Sequence, residues 1–322
     1  MLTLRFVHLM VLRFSFGVLV AGAGVVCGQD YPHKPLRMVT AGVGGGTDFA
    51  ARIVAQGLSA GFGQQVIVDN RPAIFQGTWL LSAPPDGYNI MMGGESQWQL
   101  TLLQKMPYDV LRDFNPIVWV GNSPNVLVVH PSLAVKSVKE LVDLAKAKPG
   151  ELNYASSSPG GSAHLAAELF ASMAGVKLVR IAHKSGGEAV ISIVGGQGVQ
   201  LAFISIASVL PHIKAGRLRA LGITSAKPSA ALPDMPVVAD TVPGYRSGGQ
   251  TALFAPAKTP AVIVNRLNRE TVRFLNTAEI KEKFANFGVD VVASSPEELR
   301  AFIKSDMATW SKVIKDAGIK LE

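Results

Sequence analysis

Residues 42–48 read Gly-Val-Gly-Gly-Gly-Thr-Asp and follow the short apolar run Leu36-Arg37-Met38-Val39-Thr40. A strand that stops in glycines and reopens as a helix leaves backbone N–H groups without intrahelical partners at the loop. The helix dipole adds partial positive charge there, so Val43, Gly44, Gly45, Gly46, Thr47 and Asp48 suit a bound carboxylate or phosphate. The glycines also let a ligand approach the backbone closely. The same stretch reads equally well as a tight strand-to-helix turn that holds nothing. A second unit of this design comes well over a hundred residues later. Leu152-Asn153-Tyr154-Ala155 leads into Ser156-Ser157-Ser158-Pro159-Gly160-Gly161-Ser162, then a helical face of Leu165, Leu169, Phe170 and Met173. Two such helix starts, one per half of the chain, could hold a small anion between them across a cleft.

Catalysis would need a nucleophile or a tuned acid. Gly42-Val43-Gly44, with Asp69 ending the next strand, imitates a dinucleotide fingerprint, but Thr47 takes the third glycine position. No Gly-x-Ser-x-Gly elbow occurs, and Ser156-Ser157-Ser158 lacks an evident triad. An exported α/β serine hydrolase using a loop serine is therefore the alternative reading. The six histidines are dispersed without a His-x-x-x-His pair, so His130, His183 and His212 read as surface or turn residues rather than zinc ligands. Asp48 and Asp69 read as cap or turn residues. No metal or cofactor is expected, and the chain is expected to bind rather than to catalyse.

The elements that position these loops alternate. Between Pro35 and about Asn125, the strands Val66-Ile67-Val68, Tyr88–Met92 and Ile117–Val120 are interleaved with helical stretches. One helix ends at Gly61 and another lies around Thr78–Leu81. This alternation predicts a parallel sheet with helices on both faces. Val126–Val129 is a fully apolar strand, and Ser137 with Glu140 opens a helix as cap and third residue. Further strands are predicted at 178–181, 199–204 and 218–223, and further helices at 189–194 and 208–215. The C-terminal part reads as three helices, 260–276, 278–287 and 295–317.

The 322 residues are 48% apolar and 17% charged, the balance of an ordered globular protein. Residues 1–28 differ in kind. Arg5 and Arg13 precede a short apolar run that ends in small residues, the pattern of a secretory signal. No later stretch is long enough for a membrane helix, so a soluble, exported mature chain is expected. Gly24-Val25-Val26 fits a lipid-anchor sequence poorly, so cleavage is expected after Gly28, which removes the single cysteine, Cys27. Losing both arginines leaves 29 basic against 23 acidic residues, a net charge of +6. That excess favours small anions, and without any basic run it does not suit nucleic acid.

Many short motifs, in order, resemble the exported receptors of tripartite tricarboxylate transporters, the Bug receptor family. They include Tyr31-Pro32-x-Lys34-Pro35, Gly44-Gly45-Gly46-Thr47-Asp48, Asn70-Arg71-Pro72 and Pro85-Asp86-Gly87-Tyr88. Lys148-Pro149-Gly150-x-Leu152-Asn153-Tyr154, Gly195-Gly196-Gln197, Leu210-Pro211-His212-Ile213-Lys214-Ala215-Gly216 and Leu253-Phe254-Ala255-Pro256 continue them. The resemblance implies an α/β, two-domain periplasmic-binding-protein fold with two crossovers, at about Val126–Val129 and Gln250–Phe254. It places residues 29–126 and 250–322 in one domain and 127–249 in the other. It also implies a monomer that closes over a small carboxylate in the periplasm and, for some members, delivers it to the membrane subunits of the transporter. The ligand residues it implies are Val43–Asp48, then Phe75, Gln76 and Gly77 after Pro72, with Ser156, Ser157, Ser158, Gly160, Gly161, Ser162 and His164. His183, Lys184, Ser185, Ile204 and Ser205 complete the set. The chain departs from the family's pattern at Ala73-Ile74-Phe75-Gln76-Gly77, Gly161, His183 and Ile204, the last standing where an aspartate is usual. Without that acid, simple carboxylates are expected to bind better than amino acids.

Overall fold

A computed structural model describes residues 31–317, apart from 158, 197, 226, 227 and 230, and also residue 319. The signal segment with Cys27, and the motif residues Ser158 and Gln197, lie outside the described residues. Two sheets organise the chain from Lys34 onward. The first begins with β1 (Leu36–Thr40), which runs parallel to β2 (Val66–Asn70) and β3 (Asn89–Gly94). β4 (Phe114–Ser123) also belongs to this sheet, and the chain leaves the sheet at its end. Across Pro124 the chain enters β5 (Asn125–Val129), which lies between two other strands of the second sheet. There β6 (Leu152–Ser156) pairs parallel with β7 (Leu178–Ala182) and β8 (Leu201–Ser205), while β5 pairs antiparallel with β8 and β9 (Arg219–Ile223). The chain returns through β10 (Gly249–Pro256), and β11 (Asp290–Val291) finishes the first sheet in the order β11-β4-β10-β3-β1-β2.

Two expectations shift here. The first sheet is mixed rather than parallel, because the outgoing and returning strands β4 and β10 lie side by side and run antiparallel. The changes of sheet fall at Pro124 and just before Gly249, earlier than Val126–Val129 and Gln250–Phe254, so Val126 already belongs to the second sheet. β5 is buried on both faces, as its unbroken apolar run requires. Leu127 and Val129 join Tyr154, Phe170 and Phe203 in one core, while Val126 and Val128 join Ile193, Ala202 and Val209 in another.

The helices follow local rules. α1 (Gly46–Phe62) stops at Gly63, whose φ of 64° allows the left-handed turn; Gly61 is inside the helix, not at its end. α2 (Ala73–Ser82) starts directly after Pro72, several residues before the expected start, so residues 73–77 are helix and not loop. α3 (Ser96–Leu103) and the single turn α4 (Val110–Asp113) complete the first half, and Asp109 caps α4 by accepting from the N–H groups of Leu111 and Arg112. In the second half lie α5 (Val138–Ala147), α6 (Ser162–Ala174), α7 (Gly186–Gly195) and α8 (Ile206–Lys214). Ser137 accepts from Glu140 N at 3.1 Å to cap α5. α9 (Ala261–Leu275), α10 (Ala278–Ala285) and α11 (Pro296–Ala317) follow the return. A reciprocal box opens α11: Ser295 Oγ accepts from Glu298 N at 3.1 Å, and Glu298 Oε2 accepts from Ser295 N at 2.8 Å. α11 packs Leu299 and Ile303 into the first core with Trp98 and Phe254, and sets Trp310 and Val313 against the core of the second sheet.

Candidate functional site

The loops that end β1, β6, β7 and β8 all deliver a helix start to one place. A cavity of about 120 Å³ lies there, walled by Gly45, Gly46 and Thr47 from the first half and by Gly161, Ser162, Ser185, Gly186 and Ser205 from the second. Ala73 and Gln76 bring the first turn of α2 to the same wall. Gly45, Pro72, Gly161 and Ser205 occupy N-cap positions, and none accepts a side-chain cap bond, whereas Ser185 caps α7 through Glu188 N. Uncapped helix starts converging on one cavity make its interior receptive to acceptor atoms. Lys184 adds a cation to the wall, and no carboxylate pairs with its ammonium among the described residues.

The two halves touch around this cavity. Gly187 N donates to Val43 O at 3.3 Å, and Ser208 Oγ donates to Gly44 O at 3.0 Å. A Cβ on Gly186 would lie 3.1 Å from Gly45 Cα, so the approach depends on two facing glycines. On the inner side, Ser123 and Ser205 hydroxyls lie 3.4 Å apart.

Of the residues expected at the site, Gly45, Gly46, Thr47, Gln76, Ser156, Ser157, Gly161, Ser162, Lys184, Ser185, Ile204 and Ser205 line the cavity together. The other described ones stand behind it or away from it. Val43 is exposed, and Gly44 sits against Gly187. Asp48 turns inward: Oδ2 accepts from Gly44 N at 3.2 Å and Oδ1 accepts from Asn70 Nδ2 at 2.7 Å, so it braces the glycine loop. Phe75 faces solvent because α2 begins at Ala73 and turns position 75 outward. Gly77 lies where an added Cβ would be 2.4 Å from the Tyr108 ring; it is a packing glycine rather than a ligand contact. Gly160, at φ 67°, packs on Leu100. His164 is buried, which together with the Arg180 charge pushes its pKa down to about 4, and the neutral ring's Nδ1 accepts from Gly160 N at 3.1 Å. His183 Nδ1 contacts its own strand at Ile181 O, 3.0 Å away.

Ser156 is likewise committed. Arg180 Nε donates to its Oγ at 2.7 Å, while Arg180 Nη2 donates to Ser157 O at 3.1 Å, so these bonds shape the loop. Neither the Ser156 nor the Ser157 hydroxyl bonds a histidine ring among the described residues, as a hydrolytic serine would need to.

Glu95 and Asn125 are cavity residues that the sequence reading did not select. Asn125, almost fully buried at the start of β5, has an Nδ2 group without a hydrogen-bond partner. A buried donor in that condition is unusual in a folded protein and marks a place for an acceptor. Glu95, also buried, reaches from the first half to the start of α6, where Ser162 N donates to its Oε1, and its Oε2 accepts from Gln250 N at 2.7 Å. Burial pushes its carboxyl up to about 7 against the pull of those N–H groups, and the nearby Asp306 charge raises it further. The neighbourhood carried signals for neither residue: Ser96-Gln97-Trp98-Gln99 has no clear apolar period, and Asn125 looks like one more loop asparagine before a strand.

The sequence matches the tripartite tricarboxylate transporter family receptor profile over residues 50–319. Protein BugT of Bordetella pertussis is 33% identical over 317 residues, 95% of this chain and 97% of BugT. Among solved structures, R. palustris Rpa4515 with adipate aligns at a TM-score of 0.88 and 32% identity, covering 90% of this chain and 99% of that one. The periplasmic binding protein BugD aligns at 0.86 and 27% identity, covering 91% and 100%. MatC from Rhodopseudomonas palustris with bound malate, at 23% identity and a TM-score of 0.84, shares the fold. These likenesses lend no support to the hydrolase alternative. A profile match of that extent, with relatives aligned almost end to end, makes the chain a member of the tripartite tricarboxylate transporter receptor family, whose proteins are periplasmic solute receptors rather than enzymes.

Proposed function

We propose that this chain captures a small carboxylate in the cavity between its two halves and carries it, in the periplasm, to the membrane subunits of a tripartite uptake system. The observation that carries this reading is the unpartnered Asn125 Nδ2 in a wall that also holds several helix starts and Lys184. The similar protein Rpa4515 was solved with adipate, which supports a carboxylate of a few carbons. Residues 1–28 act as the export signal in this reading, and the mature chain works as a monomer. Its domains are residues 29–126 with 250–322, and 127–249, with the first limit moved to Pro124 to follow the change of sheet.

Thermal unfolding of the mature protein against a panel of mono-, di- and tricarboxylates tests the reading. A ligand at a hundred times its Kd adds about 2.7 kcal/mol, a rise of several degrees in Tm. Trp98, fully buried and close in sequence to Glu95, gives a second readout by fluorescence. A panel that produces no saturable rise and no fluorescence change refutes the proposal.

A further inference from the structure

Ile204 removes the acid that the family resemblance places on the second half, yet the cavity still has one. It comes from the opposite half. Glu95 stands at the start of α6, the position that a ligand carboxylate would otherwise take, and its own oxygens accept from Ser162 N and Gln250 N. A carboxylate offers about four lone-pair positions. Three are used here, by the N–H groups of Ser162, Gln250 and Glu95 itself, which leaves acceptor capacity in a residue that also walls an adjoining cavity of about 70 Å³. The other titratable group on the wall of the main cavity is Lys184, so the space carries a cation at one place and a carboxyl at another.

We propose that Glu95 sets the specificity of this receptor for molecules that carry one carboxylate and a hydrogen-bond-donating far end, an amide, hydroxyl or ammonium, and selects against a second carboxylate. The carboxylate end binds at the α1 and α7 starts with Lys184 and Asn125, and the donor end faces Glu95. A second carboxylate would meet a like charge in a space with little water, and that contact costs far more than it would at the surface. This inference rests on the receptor reading and narrows its ligand class. It also changes the expectation drawn from Ile204, since an acid able to accept from an ammonium group is present after all.

Calorimetric titration at pH 8 with succinate, adipate, their monoamides and 6-aminohexanoate provides the test, on the mature wild-type protein and on Glu95→Gln. In the wild type at least one singly charged or zwitterionic probe should bind tenfold or more tightly than the diacid of equal length. In Glu95→Gln that preference should shrink to within about threefold. The wild-type comparison stands alone if the variant does not fold. Diacids that bind the wild type as tightly as their monoamides overturn the assignment of Glu95 while leaving the receptor reading intact. A preference that Glu95→Gln leaves unchanged does the same. No binding of any probe by the wild type overturns both.

Discussion

Replacing Glu95 with glutamine should make the protein less sensitive to alkaline pH. The carboxyl titrates near 4.5 in an unfolded chain and near 7 in the fold, with loss of water as the main cause. Between those values the folded state keeps a proton that the unfolded state has released, so stability falls as pH rises. The penalty is absent well below 4.5 and complete above about 7, where that gap amounts to about 3 kcal/mol. Most of it should develop between pH 5 and pH 8.5. Urea unfolding of wild type and variant at both pH values isolates the contribution, because every other titrating group is common to the two proteins. The amide's NH₂ opposes one of the backbone N–H donors, a constant offset of about 1–3 kcal/mol that cancels in the comparison across pH. The unfolding free energy of the variant relative to wild type should therefore grow by about 2–3 kcal/mol from pH 5 to pH 8.5. A change below about 0.5 kcal/mol would refute the placing of an ionisable, dehydrated carboxyl at this position.

Asn125→Ala should weaken the tightest carboxylate found in the panel by tenfold or more while moving urea stability by no more than about 1 kcal/mol, since the lost Nδ2 has no partner in the protein. An affinity unchanged within twofold would show that the ligand does not use that donor. Gly77→Ala forces a methyl group against the Tyr108 ring and should cost about 1–3 kcal/mol in urea unfolding, with ligand affinity preserved by whatever protein remains folded. Ser295→Ala removes the acceptor at the start of α11 and should cost about 1 kcal/mol in the same assay; no measurable loss would mean that Glu298 alone secures that end.

Those elements whose local chemistry agrees with their place in the fold were legible in the sequence. Ser137 with Glu140 is a cap in both sequence and structure, the helix expected from residue 295 does open there, and Val126–Val129 is buried on two faces as its composition requires. Glycine at the starts of α1 and α6 marked two loops that the fold brings to a common wall. What stayed hidden depended on distant partners. Gly77 looks like part of a binding loop until Tyr108, thirty-one residues later, is seen filling the space above it. Asp48 and His164 carry chemistry suited to a ligand, but the N–H groups of Gly44 and Gly160 claim their acceptor atoms. Glu95 could not be found from its neighbours, because its meaning comes from Ser162 and Gln250, in parts of the chain that meet it only after folding.

α11 is glued to both cores along a single rod, with Leu299 and Ile303 on one side of the crossing strands and Trp310 and Val313 on the other. A stiff splint of this kind resists any swing that would part the halves. Parting the halves would strain the hold of α11 on one core or the other, and Trp310 and Val313 mark where it meets the second.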